Sequence, residues 1–230
     1  MTSNEIITID GPAGTGKSTV AKLVASKLRW HYLDSGVMYR GLTFAMLEIA
    51  DANNAELYHE FVSKHIESVK WHCSIDNSMD SGTMRTTFYL NSKPIPEINL
   101  RDERIEKYIK FVADNKVARI SCVKMLQKIG KLGKLVAEGR DQGSVVFTNA
   151  KYKFYLDATP EERARRRYQD FERMGKKIDM KSLIAQINDR DEADRARPIG
   201  ALRIPDDAII VDTTKLTIEQ VVNLILSNVK

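Results

Sequence analysis

The sequence predicts an α/β fold built on a parallel sheet of about five strands with helices on its faces. Three observations predict it. Short apolar runs recur at Ile6–Ile9, His31–Asp34, Leu135–Ala137, Lys153–Asp157 and Ala208–Asp212, each about the length of a strand covered on both faces. Helical stretches lie between them, and strands alternating with helices imply right-handed crossovers within one parallel sheet. The first run also passes directly into Gly11-Pro12-Ala13-Gly14-Thr15-Gly16-Lys17-Ser18-Thr19, a match to the phosphate-cradling pattern G-x-x-x-x-G-K-[ST].

That loop leaves a β-branched strand and opens a helix that runs from Val20 to Leu28 without Pro or Gly. Backbone N–H groups and the positive end of the helix dipole then converge on one point, where a triphosphate can sit. Lys17 is expected to reach the β- and γ-phosphates and Ser18 to ligate Mg²⁺. In sheets of this kind ligands bind outside the carboxyl ends of the strands. Those ends carry Asp10-Gly11, Asp34-Ser35, Glu138-Gly139-Arg140-Asp141, Asp157-Ala158 and Asp212-Thr213-Thr214, so polar and charged residues gather at one edge.

About a hundred residues separate the second and third strands, far more than one crossover helix needs, and an insertion is therefore expected. Trp71–Ile75 and Thr86–Asn91 read as short strands around a polar turn region containing Gly82, with Pro94 and Pro96 closing the unit. A helical stretch from about Arg101 to Ile129 follows, with apolar Ile105, Tyr108, Ile109 and Val112 on helical spacing. The expected organisation is a core over residues 1–66 and 131–230 and an inserted, small antiparallel β/helical subdomain over 67–130 that supplies an acceptor-binding wall.

Two arginine-rich segments come late. In Pro160–Tyr168, Pro160 with Glu161 and Glu162 suits a helix start, and Arg163, Arg166 and Arg167 share one helical face. Guanidiniums beside a transferring phosphoryl group stabilise the charge spread over its oxygens. In Asn188–Pro198, Arg190, Asp194 and Arg197 fall at i, i+4 and i+7, Asp191 pairs with Arg195 on another face, and Pro198 ends the helix. A basic–acidic–basic face can hold a phosphate with its arginines and a sugar hydroxyl with its carboxylate.

Composition narrows the class. At 230 residues the chain supports one domain with insertions rather than two full domains. Two cysteines, Cys73 and Cys122, are too few for a disulfide framework, and the four histidines are scattered without metal-ligand spacing. A reduced, cytoplasmic compartment is expected. The first residues lack a basic region followed by an apolar stretch, and no run of 18 apolar residues occurs, so a soluble, unexported protein without membrane contact is expected. The net charge of +5 fits a pocket for small polyphosphates better than nucleic acid, because the arginines pool with acids and not in a stripe interleaved with aromatics.

The chain offers no Ser/His/Asp arrangement and no general base beyond strand-end carboxylates. A phosphate acceptor needs none, since with a second pKa of about 6 it is already anionic at pH 7. Catalysis then reduces to aligning two charged groups and neutralising their repulsion. A hydroxyl acceptor would need a base, for which Asp34 is the candidate.

The ordered set GPAGTGKST, LDSGVMYR at Leu33–Arg40, EGRDQGSVVF at Glu138–Phe147, KFYLDATPEERARRR and RDEADRARP resembles the bacterial cytidylate kinases nearly end to end. The resemblance implies a P-loop kinase that uses ATP and Mg²⁺ to phosphorylate CMP and dCMP in pyrimidine metabolism, as a monomer. It implies that Gly11–Thr19, Arg163 and Arg166 bind ATP, that Arg40, Arg140 and Arg197 bind the monophosphate, and that Ser35, Asp141 and Arg119 address cytosine beside Asp34. Arg190 and Asp194 would hold the ribose, Lys17, Arg140, Arg166 and Arg190 would serve catalysis, and an Arg-rich lid would span about 158–198. Lys110 stands where the family usually has a ribose-contacting Ser, which bears on ribose against deoxyribose preference, and Thr148 replaces the usual Pro after VVF. From the residues alone two alternatives stay open: another small P-loop kinase for a different nucleotide or a hydroxyl, and an NTP-dependent RNA-binding module.

Overall fold

The computed structural model describes residues 5–50, 55–77, 84–173, 175 and 178–229. Five strands, β1 (Ile6–Asp10), β2 (His31–Asp34), β3 (Trp71–Asn77), β4 (Met84–Leu90) and β5 (Lys93–Pro94), precede β6 (Leu135–Glu138), β7 (Tyr152–Asp157) and β8 (Ile209–Asp212). The helices are α1 (Lys17–Leu28), α2 (Gly36–Ile49), α3 (Ala55–His65), α4 (Glu103–Ala113), α5 (Lys116–Gly130), α6 (Pro160–Arg173), α7 (Met180–Ala196) and α8 (Ile218–Asn228). All five strands read from the sequence form the five-stranded parallel sheet, ordered β2-β6-β1-β7-β8. Its central strand, β1, is buried along its whole length. That burial explains the unbroken apolar run and places the phosphate loop at the middle of the sheet edge.

The chain divides into two compact units. One comprises the described residues up to Trp30 together with Lys134 onward, and the other His31–Gly133. In the first, β1 pairs in parallel with β6 (Ile9 opposite Glu138) and with β7 (Asp10 opposite Tyr155). Helices α6 and α7 close on each other over Ala164, Leu183 and Ile187, with Tyr168 and Phe171 packed against them. Pro160 does open α6 with Glu161 and Glu162 in its first turn.

In the second unit, β3 and β4 form an antiparallel ladder from Trp71↔Leu90 to Asn77↔Met84. The turn around Gly82 lies outside the described residues. Pro94 closes the small sheet from within it: with Lys93 it forms the last strand, β5, Tyr89 standing opposite Pro94, at an edge where a missing N–H costs no ladder bond. One expectation needs correction. The helical stretch expected from Arg101 to Ile129 is two helices. Arg101 lies in a 3₁₀ turn and Asp102 caps α4. The Asn115 side-chain oxygen then accepts from Val117 N and Ala118 N, both at 3.0 Å. An N-cap offered in mid-stretch ends one helix and starts the next.

No helix among the described residues is long and apolar enough to cross a membrane. Glycine decides packing at Gly41 on α2, where a Cβ would meet the Phe88 ring at 2.3 Å. Phe88 is fully buried and stacks on Trp71 at 5.6 Å.

Candidate active site

The phosphate loop is assembled by backbone geometry that only glycine adopts freely. Gly11 has φ 143°, and a Cβ there would sit 2.0 Å from the Leu156 carbonyl of β7. Gly16, with φ 87°, turns the chain into α1. Lys17 is buried and folds back on the loop, its Nζ donating to the Pro12 carbonyl at 2.6 Å and to Thr15 Oγ1 at 3.4 Å. Thr15 Oγ1 also donates to Pro12 O at 3.1 Å. Burial first, and then the Arg140 guanidinium, push the Lys17 ammonium down to about 7.

Ser18 Oγ donates to Glu138 Oε1 at 2.7 Å. This hydroxyl–carboxylate pair is a hard-oxygen donor set of the kind Mg²⁺ uses with substrate phosphates and water. No group of three or more His, Cys, Asp or Glu that could hold a metal occurs among the described residues, which such a phosphate-shared site does not need.

Helix α6 lays its predicted arginines on the loop. Arg166 donates to Thr213 O at 2.6 Å, to Thr213 Oγ1 at 3.1 Å and to Thr15 O at 3.4 Å, while its Nε holds Glu162 at 2.8 Å. Arg163 is buried and donates to Ala158 O at 3.0 Å and Ala13 O at 3.1 Å. Arg167 departs from its two neighbours and lies 5.8 Å over the Phe171 ring. Asp191, read from the sequence as the partner of Arg195, makes its close pair with Arg163 at 2.6 Å, Arg195 standing off at 3.9 Å.

The Arg190, Asp194 and Arg197 face holds together with the strand-end arginine. Asp194 accepts from Arg140 Nε at 3.0 Å and from Arg197 Nη2 at 2.7 Å. Burial opposes its ionisation, yet the guanidiniums of Arg140, Arg197 and Arg190 hold its carboxyl below the usual carboxylate range. Arg190 itself is on the exposed side of α7. Asp141 is buried and accepts from Gln142 Nε2 at 3.3 Å. The segment after it, Gln142–Val146, coils into a π-helical turn. The turn's first two N–H groups, on Gln142 and Gly143, donate to Asp10 at 2.9 and 2.7 Å. Burial pushes the Asp10 carboxyl up to about 7.

In the second unit Asp34 accepts from Gly36 N at 2.8 Å and pairs with Arg40 at 2.7 Å. The candidate base for a hydroxyl acceptor is thus occupied by a guanidinium. Ser35 is buried at the N-cap of α2. Arg119, on α5, donates to the Ala113 carbonyl at 3.0 Å, and its guanidinium carbon lies 5.3 Å from the centre of the Tyr39 ring. Arg119 and Arg40 thus both attend α2, within one unit.

Three residues that the sequence reading did not place in the site sit at the heart of this geometry: Asp10, Glu138 and Asp191, the last read only as a partner of Arg195. The first two were visible as strand-end acids, but their partners lie more than a hundred residues away, and only the β1–β6 pairing brings them into reach.

The family model described as cytidylate kinase matches residues 7–230. The chain is 39% identical to the cytidylate kinase of Oleidesulfovibrio alaskensis over 231 residues, covering all of both chains. It is 39% identical to that of Fusobacterium nucleatum, covering 99% of this chain and 98% of the relative, and 37% identical to that of Bacillus subtilis, covering 97% and 96%. Among solved structures, an uncharacterised protein from Eubacterium ventriosum matches with a TM-score of 0.50 at 13% identity, covering 99% of this chain and 98% of the other, a likeness of fold alone. Matched along its length by the family model and by full-length relatives, the chain belongs to the cytidylate kinase family.

Proposed function

We propose that this protein transfers the γ-phosphoryl group of ATP to CMP, and to dCMP, releasing ADP and the cytidine diphosphate. The observation that carries the acceptor half is the Arg140–Asp194–Arg197 cluster, in which two guanidiniums at 3.0 and 2.7 Å share one carboxylate. A dianionic phosphate can take the place that the carboxylate holds between them. The family supplies the nucleoside, and the paired Asp34 disfavours a hydroxyl acceptor.

In this reading the loop N–H groups of Gly11–Thr19 and the Lys17 ammonium hold the donor phosphates. Arg166, already on Thr15 and Thr213, meets the charge that develops on the transferring group. Arg40, Arg140 and Arg197 bind the acceptor phosphate, Arg190 and Asp194 the ribose, and Ser35, Asp141 and Arg119 the base. A carboxylate accepts from the exocyclic amine that uracil lacks, and an arginine donates to the ring carbonyl. The acceptor oxygen forms its bond to the γ-phosphorus as the bridging bond to the β-phosphate breaks, so no enzyme base intervenes. Ser18 and Glu138 would hold Mg²⁺, whose chemistry is to neutralise charge across the β- and γ-phosphate oxygens. The segment of about 158–198 would close as a lid over a monomeric, cytoplasmic enzyme, with residues 67–130 forming the acceptor-binding subdomain.

A coupled ADP-release assay across the four ribonucleoside monophosphates tests the assignment. CMP is expected to give the highest kcat/KM, and UMP or AMP outrunning it would overturn the reading.

A further inference from the structure

Arg163 sits where three elements of the first unit meet. Its Nε donates to Ala158 O just past β7, its Nη1 to Ala13 O in the phosphate loop, and its Nη2 contacts Asp191 Oδ2 on α7 at 2.6 Å. The guanidinium is planar, so fixing three of its N–H groups fixes the positions of the atoms they reach. The loop apex packs closely on the start of this residue: a Cβ on Gly14 would stand 3.1 Å from Arg163 Cβ and 3.3 Å from the Arg163 carbonyl oxygen. Both side chains of the pair are 3% exposed. Among the described contacts the one carboxylate within bonding distance of this buried cation is Asp191.

A buried guanidinium whose counter-charge is removed either leaves its site or draws in water, because an unpaired buried charge is costly. Either movement releases the Ala13 carbonyl. The peptide units on both sides of that carbonyl orient the N–H groups that line the cradle, so the cradle widens. Asp191 takes Arg163 Nη2 while Nη1 holds the Ala13 carbonyl, so it acts on the donor phosphates through Arg163. The same helix carries Arg190 one residue before and Asp194 three residues after Asp191, and Arg197 caps its end.

We propose that Asp191 is a positioning residue for the donor site: by neutralising Arg163 it holds the Ala13–Gly14 apex of the loop in the shape that binds the ATP phosphates. The inference rests on ATP being the donor, as proposed above, but not on which acceptor is used.

The test is calorimetric binding of a non-hydrolysable ATP analogue with Mg²⁺ and without acceptor, on wild type, Asp191→Asn and the double variant Arg163→Met/Asp191→Leu, each checked by thermal melt. Asn keeps an acceptor for Arg163 but removes the charge. The Kd for the analogue is expected to rise about tenfold in Asp191→Asn, with CMP binding measured alone changed less than twofold, and Asp191→Glu to recover most of the loss. In the double variant the pair is replaced by apolar side chains of similar volume, so the fold is kept while the Kd stays raised. Unchanged analogue binding in a folded variant, equal losses for the analogue and CMP, or failure of both variants to fold would overturn the proposal. A wild-type protein that binds the analogue but turns over another monophosphate would instead refute the acceptor assignment and leave this comparison intact.

Discussion

Ser18 Oγ and Glu138 Oε1, 120 residues apart in sequence, meet at 2.7 Å where the first turn of α1 faces the end of β6. The carboxylate fixes the hydroxyl's rotamer and adds the negative charge that a phosphate-bound divalent cation needs. Glu138→Gln keeps a hydrogen-bond partner for Ser18 and removes only the charge. The Mg²⁺ concentration for half-maximal activity is expected to rise roughly tenfold or more, while CMP binding measured without metal stays put. A magnesium titration of steady-state rate reads the first and calorimetry the second; an unchanged titration would remove Glu138 from the metal site.

Lys17 gives the donor site a pH dependence whose sign can be worked out. Its pKa is lowered from 10.5 to about 7 by burial and Arg140. Between those values the unfolded chain holds a proton that the folded free protein lacks, so this residue's contribution to stability grows as pH rises through that window. Triphosphate binding reverses the preference, because the anion favours the ammonium form. ATP binding at pH 8 is therefore expected to take up nearly one proton, measured by calorimetry in buffers of different ionisation enthalpy, and to weaken as pH climbs above 7. Lys17→Arg should abolish the uptake.

Asp194 bridges two guanidiniums, those of Arg140 and Arg197. Asp194→Ala is expected to cost about 3 kcal/mol, a fall in Tm of roughly 6–12 °C for a domain this size. High inorganic phosphate should restore part of it by occupying the vacated place between Arg140 and Arg197. A melt series with phosphate and with chloride at equal ionic strength separates the specific effect from screening. Equal recovery in both salts would show that no anion subsite exists there.

Gly41→Ala drives a methyl group into the Phe88 ring, which a Cβ would meet at 2.3 Å. The expected loss is about 1–3 kcal/mol by denaturant melt. Phe88→Leu in the same chain should lower that cost, giving a favourable coupling in the double-mutant cycle. Additive effects would mean that α2 shifts to make room.

The parallel strands were legible as short apolar runs such as Ile6–Ile9 and Leu135–Ala137, which are buried end to end, but the expectation that all five are covered on both faces fails at β8, the outermost strand, where Ile209 and Ile210 are exposed. The phosphate loop was legible because its glycines are demanded by backbone geometry, as the Leu156 carbonyl beside Gly11 shows. What escaped had no local signature. The two-residue strand Lys93–Pro94 pairs only through its backbone, and Asn115 is a helix cap only if the chain turns there. The helical spacing of Asp191 and Arg195 pointed to a pair four residues apart on one helix, but the stronger claim came from Arg163 on a neighbouring helix. Periodicity reads along a helix and is blind to what the next helix brings. The roles of Arg40, Arg119 and Asp141 came from motif likeness and not from spacing.

The two N–H groups that open the turn after Asp141 both hang on Asp10, the last residue of β1. The phosphate loop that follows Asp10 and the turn at Gln142 and Gly143, 132 and 133 residues later, thus share one anchoring side chain. For anyone recombining this gene with a relative, that contact is a seam: a crossover between the two segments is safe only where both parents carry the carboxylate and a small residue at position 143. Asp10→Asn, which offers an amide hydrogen where one of the two N–H groups needs an acceptor, would make even a parental chain behave like a failed chimera.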